Sequence, residues 1–396
     1  MTPGGMSQAT RLLLAGLLAM ALVMGVGRFF YTPMLPLMQR DYGFDAAIAG
    51  YVASANFAGY LAGSIMASFV RPGSTRLWIF RISVLASIAT TAAMGLTDSV
   101  TAWMVLRLIS GLASALAMIV AATVVAEALH QAGEPGRLAW VFTGVGAGIA
   151  LSGVLAQIAG HALPSAYMWF LAAGLCVLMA PFIFAEMYDR QLEARPHKAA
   201  HKARQPRPLP FAALLVNYTC EGLGYSVFAT FIVAIVKGRP GMEAFADWVW
   251  VIAGIGGAFS AVLWAAVAGR IGYASALVAA YVVQIVSVAA PALSGNGFVA
   301  LAAAAMFGGT LMGITILTLA VGRQSVDGRG IAILTAGFGL GQMIGPAVAG
   351  HFVSAGIGYS QALIGSAVVL VVGTVVLVVA VARRGMGLAQ GAGSAS

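Results

Sequence analysis

The sequence predicts an all-α membrane protein with twelve transmembrane helices in two six-helix, pseudo-symmetric halves. Three observations support this prediction: the composition, a series of long apolar runs and an internal repeat. Of the 396 residues, 61% are hydrophobic and only 8% are charged, whereas a soluble domain carries about 25% charged residues. So few charges cannot cover a surface that faces water. A soluble globular fold is therefore excluded, and the lipid bilayer is the expected environment.

Twelve apolar runs are long enough to cross a membrane, because a transmembrane helix needs roughly 20 mostly apolar residues. Between the sixth and seventh runs lies a hydrophilic stretch rich in Lys, Arg and Pro, whose prolines disfavour one continuous helix. This pattern predicts an N-terminal six-helix bundle over 1–188, a basic cytoplasmic linker over 189–209 and a C-terminal six-helix bundle over 210–396. The predicted spans are 12–36, 46–68, 77–96, 100–127, 138–160, 165–187, 210–236, 246–268, 273–292, 296–321, 330–353 and 360–382.

The Lys and Arg residues of the loops are distributed unevenly between the two sides of the membrane. With the N-terminus placed inside, sixteen of them fall on the cytoplasmic side and three on the outer side. Because cytoplasmic loops carry an excess of Lys and Arg, we expect a multi-pass protein of the bacterial inner membrane with both termini cytoplasmic. The net charge of +9 then describes the cytoplasmic face, and nucleic acid is not expected as a partner.

Three short motifs of the first half recur in the second half, in the same order and at equivalent spans, at offsets of 197, 199 and 193 residues. The recurring motifs are Gly25-x-Gly27 with Gly222-x-Gly224, Arg71-Pro72-Gly73 with Arg270-Ile271-Gly272, and Gly144-x-Gly146-x-Gly148 with Gly337-x-Gly339-x-Gly341. Membrane transporters are commonly built from two such structural repeats. One match in a chain with 50 glycines is uninformative, but three at nearly one offset favour a duplicated six-helix unit.

Two six-span halves, a basic central linker and these loop motifs together resemble the major facilitator superfamily over essentially the whole chain. In that family, the loop after span 2 carries a Gly-x-x-x-Asp-Arg-x-Gly-Arg-Arg signature. Here Arg71 and Gly73 match it, whereas Val70 occupies the acidic position. The resemblance implies a gating loop at Arg71 and Gly73, with a second one at Arg270 and Gly272.

Three further segments make the resemblance to the family more specific. Arg107-x-x-x-Gly111 in span 4 is similar to a family signature. The segments Gly25–Pro36 and Glu221–Tyr225 are similar to the poorly characterised YbfB/YjiJ-type branch. The resemblance implies secondary active transport of a small organic solute by alternating access, with export favoured over import. It implies no cofactor beyond an ion gradient, with H+ as the expected ion, and a monomer is expected.

Only three charged side chains lie well inside predicted spans: Arg28, Arg107 and Glu221. Each costs about 2.5–3.5 kcal/mol at the centre of a membrane helix, so all three are expected to face the protein interior. Arg28 and Glu221 lie beside the equivalent glycine motifs of the two halves, which predicts an ion pair that opens and reforms during transport. Two alternatives stay open: a static Arg28–Glu221 pair that holds two helices together, and an Arg107 that only caps carbonyls of a neighbouring helix.

Polar residues near these charges complete the predicted site. Asn217, Glu221 and Tyr225 are spaced four residues apart, which places them on one helix face. A conformational change that separates Glu221 from a cation would let its carboxylate bind or release a proton. The predicted solute and proton pathway comprises Arg28, Tyr31, Asn56, Arg107, Asn217, Glu221, Tyr225 and Gln342.

The interior charges favour one class of solute and exclude some functions. Two intramembrane arginines against one glutamate favour a solute that carries an anionic group. The sequence contains no nucleotide-binding motif, paired-cysteine motif or catalytic metal motif, so active transport would draw on an ion gradient and an enzyme is not expected. The alternative is a polytopic membrane protein that does not transport, such as a sensor or an assembly partner.

Overall fold

The computed structural model describes residues 6–70, 73–187, 209–325 and 328–393, and all regular structure in these ranges is helical. Twelve helices, α1 to α12, correspond in order to the twelve predicted spans. They are Gln8–Tyr42, Ala46–Ala67, Ser74–Ala93, Val100–Gln131, Thr143–Ala159, Ser165–Glu186, Phe211–Lys237, Glu243–Ile271, Tyr273–Leu293, Gly297–Ser325, Gly328–Ser354 and Tyr359–Gly393. Eleven of the helices in the described ranges are long and apolar enough to cross a membrane. The exception is α2, which has 22 residues but includes Asn56 and several Gly, Ser and Tyr residues.

The first helix is not the continuous span that the sequence predicts. It consists of an α-helical part, Gln8–Met20, a π-helical turn, Ala21–Val26, and a second α-helical part, Tyr31–Tyr42. The four residues between the last two parts are not in a regular helix. Pro33 has no N–H to donate to the carbonyl of the residue four positions earlier, so the standard ladder cannot run through this point. The carbonyl groups of the break are left free for other partners.

Two other helices differ from the prediction at their ends. A 3-10 helix, Pro135–Phe142, precedes α5, so the fifth span begins in a tighter helix than expected. The last helix, α12, continues to Gly393, well beyond the predicted end at 382. The apolar pattern marks where a helix leaves the hydrocarbon, whereas the helix itself can continue into the polar region.

The two halves repeat one packing arrangement, as the recurring motifs predict. In the first half α2 packs on α4, α3 packs on α4, and α1 packs on α5. The same pairs recur six helices later: α8 packs on α10, α9 packs on α10, and α7 packs on α11. This correspondence confirms the pseudo-symmetric architecture of two six-helix units.

The loops after α2 and α8 also correspond. Gly73 has φ 124° and Gly272 has φ 86°, a backbone region that side chains other than glycine rarely adopt. Arg270 lies in the last turn of α8. Arg71 lies outside the described residues, as does the predicted linker over 189–209 apart from Leu209.

An ion pair links α3 and α4 beside the first of these loops. Both terminal nitrogens of Arg76 bind the Glu127 carboxylate, at 2.8 and 2.9 Å. Val70 occupies the position at which the family signature has its acidic residue. The structure shows that an acid is supplied to this loop region from the end of α4.

The halves contact each other through α2 with α11, through α5 with α8, and through the second part of α1 with α7. We call the end of the bundle where α1 ends and α2 begins the outer end, after the predicted orientation. At this end Thr32 donates to the carbonyl of Ala229 at 2.5 Å, and the N–H of Ala47 donates to Ser354 at 2.9 Å. Both hydrogen bonds cross from one half to the other, so they join the two halves towards the outer end.

Close approach of α2 and α11 depends on Gly50. A Cβ at this position would overlap the carbonyl group of Pro346 on α11. Small residues are what allow helices to approach closely in a membrane, where hydrophobicity does not drive helices together. The contact between the halves therefore rests on backbone packing as well as on hydrogen bonds.

Replacing Gly50 with Ala is expected to lower the melting temperature of the purified protein, because the added methyl group forces α2 away from α11. Gly365→Ala in α12 is the matched control, since its Cβ would meet nothing within 4 Å. Ala is also favoured over Gly in a helix by about 1 kcal/mol, so the control should not lose stability. Thermal unfolding of both variants in one detergent checks the prediction, and equal melting temperatures would contradict it.

Candidate functional site

Arg28 lies at the break in α1, where the two halves meet. Its side chain is only 2% exposed, and one terminal nitrogen donates to Gln342 Oε1 of α11 at 3.2 Å. The amide nitrogen of Gln342 in turn donates to the hydroxyl of Tyr225 on α7 at 2.6 Å. Three of the predicted site residues, contributed by both halves, are thus joined in one hydrogen-bonded chain.

The guanidinium of Arg28 also lies against an aromatic ring. Its central carbon is 3.7 Å from the ring centroid of Tyr60 on α2, a distance at which a cation is attracted by the ring face. Within the described part of the chain, Arg28 forms no ion pair with Asp or Glu, and its Nε has no hydrogen-bond partner. The site therefore contains a buried positive charge that no carboxylate of the described residues neutralises.

The predicted ion pair between Arg28 and Glu221 is not formed in this structure. Glu221 is 3% exposed, and its Oε1 accepts from Gln284 of α9 at 3.3 Å. Gln284 accepts, through its own oxygen, a hydrogen bond from the hydroxyl of Thr310 on α10. Glu221 therefore faces the interior of the second half, because its hydrogen-bond partner Gln284 lies on α9 and is itself bound by α10.

The second oxygen of Glu221 has no hydrogen-bond partner in the structure. One turn earlier on the same helix, both side-chain polar atoms of Asn217 are also buried without a partner. The predicted stripe on α7 is therefore present, but only its outermost member, Tyr225, reaches the chain that contains Arg28. The stripe joins two different environments, one inside the second half and one between the halves.

Arg107 binds backbone carbonyl groups of α1. Its terminal nitrogens donate to the carbonyls of Gly27 at 2.9 Å and Arg28 at 2.6 Å, and Ser110 donates to the same Gly27 carbonyl at 2.9 Å. These carbonyls are freed by the break in the helix. Of the two roles considered for Arg107, capping the carbonyls of a neighbouring helix is the one found in this structure.

Asn56 and Tyr31 support this arrangement. The Asn56 amide donates to the carbonyl of Arg107 at 3.0 Å, and the Tyr31 hydroxyl donates to the carbonyl of Ala49 at 3.1 Å. The Tyr31 ring also lies 5.2 Å from the Arg107 guanidinium. Both residues bind backbone groups or Arg107, so in this conformation they hold α1, α2 and α4 together.

Several residues around Arg28 and Glu221 are not among the predicted pathway residues. Gln284, Thr310 and Tyr60 are absent from the predicted pathway, although they lie around Glu221 and Arg28 in the structure. Residue spacing along one helix could not predict them, because they lie on different helices from Arg28 and Glu221. A polar residue in the middle of an apolar span was the only available indication.

A separate small cleft lies at the outer end, between α1, α5, α7 and α8. None of the eight predicted pathway residues lines it. Its lining residues are Pro33, Pro36, Leu37, Gly153, Ala156, Gln157, Gly160, His161, Val233, Lys237, Ala246 and Trp250. The cleft is therefore distinct from the buried charged groups described above.

The two buried arginines are expected to respond differently to the same substitution. Arg107→Gln should lower the melting temperature strongly, because the shorter Gln lacks the two-nitrogen fork that reaches both carbonyls, and an unsatisfied buried polar group costs about 1–3 kcal/mol. Arg28→Gln should lower it less, since it removes a buried charge that has a single hydrogen bond and no carboxylate partner. Thermal unfolding of both variants checks the order. The assignment of Arg107 to the backbone would be wrong if Arg28→Gln were the more damaging change.

Comparison with known proteins places this architecture among transporters. A family model described as "Uncharacterised MFS-type transporter YbfB" matches residues 20–378. The inner membrane transport protein YdhP of Escherichia coli O157:H7 is 26% identical over 365 residues, covering 87% of this chain and 90% of YdhP. YdhP of Escherichia coli strain K12 is 25% identical over the same length.

Solved structures show the same fold at low sequence identity. A mutant of the nucleoside transporter NupG superimposes with a TM-score of 0.74 at 15% identity, covering 94% of this chain and 99% of NupG. A bacterial homologue of the human lysosomal transporter Spinster, in an inward-facing and unoccupied conformation, gives a TM-score of 0.68 at 15% identity and covers 95% of this chain and 98% of its own. The family and these structural relatives are transporters and not enzymes. The chain is a membrane transporter of the major facilitator superfamily and belongs to its YbfB-type family.

Proposed function

We propose that the chain is a proton-coupled secondary transporter that moves a small anionic organic solute by alternating access between its two halves. The observation that carries the proposal is the separation of two buried ionisable groups, one basic and one acidic. Arg28 lies between the halves without a carboxylate, and Glu221 lies inside the second half without a cation, within the described residues. Each group lacks a counter-charge that a transport substrate can supply.

An anionic solute is the natural counter-ion for Arg28. A buried unpaired charge is costly, and a guanidinium binds a carboxylate through a planar fork of N–H groups. In this structure one of its terminal nitrogens is bound to the neutral oxygen of Gln342. A carboxylate that replaced this oxygen would neutralise the charge and would link α1 to α11 more strongly. Solute binding would thereby act directly on the contact between the halves.

A proton is the corresponding partner of Glu221. A carboxylate with one hydrogen bond and no cation nearby is stable in a buried site only when it is neutral. Its free oxygen can carry the proton, because Oε1 is already bound by Gln284. A conformation in which water reaches Glu221 favours the ionised form. The conformational cycle would thus bind the proton in one state and release it in the other.

The communication between the two sites runs along α7. Tyr225, which is tied to Gln342 and hence to Arg28, lies one turn after Glu221 on the same helix. A movement of α7 relative to α9 and α10 changes the surroundings of Glu221. The same movement changes the hydrogen bond between Tyr225 and Gln342. This shared helix supports coupling between proton binding and solute binding.

We propose export as the direction of transport and a monomer as the working unit. The direction is supported by the family resemblance alone, and the monomer by the fact that one chain contains both six-helix units. The hydrogen bonds at the outer end, Thr32 with Ala229 and Ala47 with Ser354, would break when the protein opens outward. Gating at the loops with Gly73 and Gly272 remains part of the proposal.

Glu221→Gln is expected to remove an infrared signal of the purified protein. At neutral pH the native protein should show the C=O stretching band of a protonated carboxylic acid, because Glu221 is buried without a cation. Glu243→Gln, at an exposed position at the start of α8, is the matched control and should leave the band in place. A band that persists in Glu221→Gln, or that is missing from the native protein, would show that this residue does not hold the proton.

A transport assay tests the solute class. Proteoliposomes with an imposed pH gradient should accumulate at least one small carboxylate from a panel of carboxylates, amines and sugars. Protein-free liposomes measure the passive entry of weak acids, and a protonophore should abolish the protein-dependent part. Glu221→Gln should lose the dependence on the gradient. Accumulation of amines alone would overturn the proposal.

A further inference from the structure

The guanidinium of Arg28 is surrounded by aromatic rings of the first half. Besides Tyr60 at 3.7 Å, the ring centroids of Phe57 and Phe29 lie 5.0 and 5.3 Å from its central carbon. These rings come from α1 and α2, on either side of the break in α1. A buried cation in such surroundings is held by ring faces and by one amide oxygen.

The second half presents a column of stacked rings at the same contact. Five rings from α7, α10 and α11 follow one another with interplanar angles between 9° and 24°. Their order is Tyr218, Phe338, Tyr225, Phe307 and Phe228. The centroid distances are 4.4 Å and 4.3 Å at the two ends but 5.6 and 6.0 Å on the two sides of Tyr225. Tyr225 is therefore the most loosely stacked ring, and its hydroxyl is the one tied to Gln342.

Stacked aromatic rings in a protein interior are usually ordinary packing. Here one ring of the column, Tyr225, is linked through Gln342 to Arg28. No carboxylate of the described residues neutralises the charge of this arginine. Packing alone does not require an unneutralised guanidinium next to aromatic rings from both halves. This combination matches the two ends of one kind of molecule, an anionic group and a planar apolar body.

The polar groups at this place are too few for a hydroxyl-rich solute. Around Arg28 the described side chains offer the Gln342 amide and the hydroxyls of Tyr225 and Tyr60. A site that selects a sugar or a nucleoside must bind its hydroxyl groups with matching donors and acceptors, because each unmatched buried group is penalised. The surroundings of Arg28 instead suit a solute with one charged end and little other polarity.

We propose that the transported solute is an aromatic carboxylate, whose carboxylate binds Arg28 and whose ring enters the column between Tyr225 and Phe338, two loosely stacked rings 5.6 Å apart that separate to admit it. This inference rests on the proposed function and specifies its substrate class. The carboxylate takes the place of Gln342 Oε1 on the guanidinium. The Gln342 amide, released from Arg28, keeps its hydrogen bond to Tyr225. Both halves contact the solute, through α1 and α2 on one side and α7 and α11 on the other.

Three probes of similar size test the inference by thermal stabilisation of the purified full-length protein. Benzoate has both the charge and the ring, cyclohexanecarboxylate has the charge without a planar ring, and benzyl alcohol has the ring without the charge. We expect benzoate to bind about tenfold more tightly than cyclohexanecarboxylate, as one or two stacked ring contacts provide. Benzyl alcohol should not stabilise the protein.

Variants separate the two parts of the recognition. Arg28→Gln should weaken benzoate binding by at least about thirtyfold, the effect of removing one partner of a buried charge pair. Phe338→Leu should abolish the preference for benzoate over cyclohexanecarboxylate while both still bind. Phe298→Leu is the matched control, because this ring is exposed and pairs with Phe245, away from Arg28. It should leave binding of all three probes unchanged.

Each outcome decides for or against the aromatic solute. Equal affinity for benzoate and cyclohexanecarboxylate, with both dependent on Arg28, would overturn it and leave proton-coupled transport of an anion intact. Stabilisation by benzyl alcohol alone, or by none of the three compounds, would also overturn it. Failure of the proposed function is recognised separately, by the infrared band of Glu221 and the gradient-dependent accumulation, which do not depend on benzoate.

Discussion

The structure is organised by the cost of placing charge in hydrocarbon. A charged or polar group inside a membrane has no bulk water to bind, so the protein must provide its partners. The three charged side chains inside the spans meet this requirement in three different ways. Arg107 binds backbone carbonyls, Arg28 binds an amide oxygen and aromatic faces, and Glu221 binds one amide and keeps one oxygen free. Only Arg107 has both terminal nitrogens bound to backbone carbonyls, while its Nε, like that of Arg28, has no hydrogen-bond partner.

The break in α1 connects structural stability with the site. A helix that is interrupted in a membrane exposes carbonyl groups that need donors, and Arg107 and Ser110 supply them from α4. The interruption places Arg28 beside α2 and α11, between the halves. A side chain that is structural by its contacts, Arg107, therefore determines where the unneutralised charge lies. The two arginines therefore have different roles at similar burial: Arg107 binds the backbone of α1, and Arg28 holds the unneutralised charge.

Alternating access requires contacts between the halves that can break and form again. At the outer end these contacts are two hydrogen bonds and close backbone packing at Gly50. Near the middle of the bundle the contact is the chain Arg28–Gln342–Tyr225, which carries the charge. Because Glu221 lies one turn from Tyr225 on α7, the proposed proton-binding group and a residue of the proposed solute site lie on the same helix. Coupling in this protein is therefore proposed to depend on the motion of one helix and not on a direct ion pair.

The sequence by itself determined the membrane fold, because bilayer thickness sets the length of an apolar helix and because the motifs recur at one offset. It also identified Arg28, Arg107 and Glu221, since an intramembrane charge stands out against apolar neighbours. The partners of these charges were decided only by the tertiary structure. Spacing along α7 shows that Asn217, Glu221 and Tyr225 share a face, but the rotation of α7 against α9, α10 and α11 depends on packing among all the helices. The same applies to the break in α1, whose free carbonyls are stable only because Arg107 comes from a helix some 80 residues further along the chain.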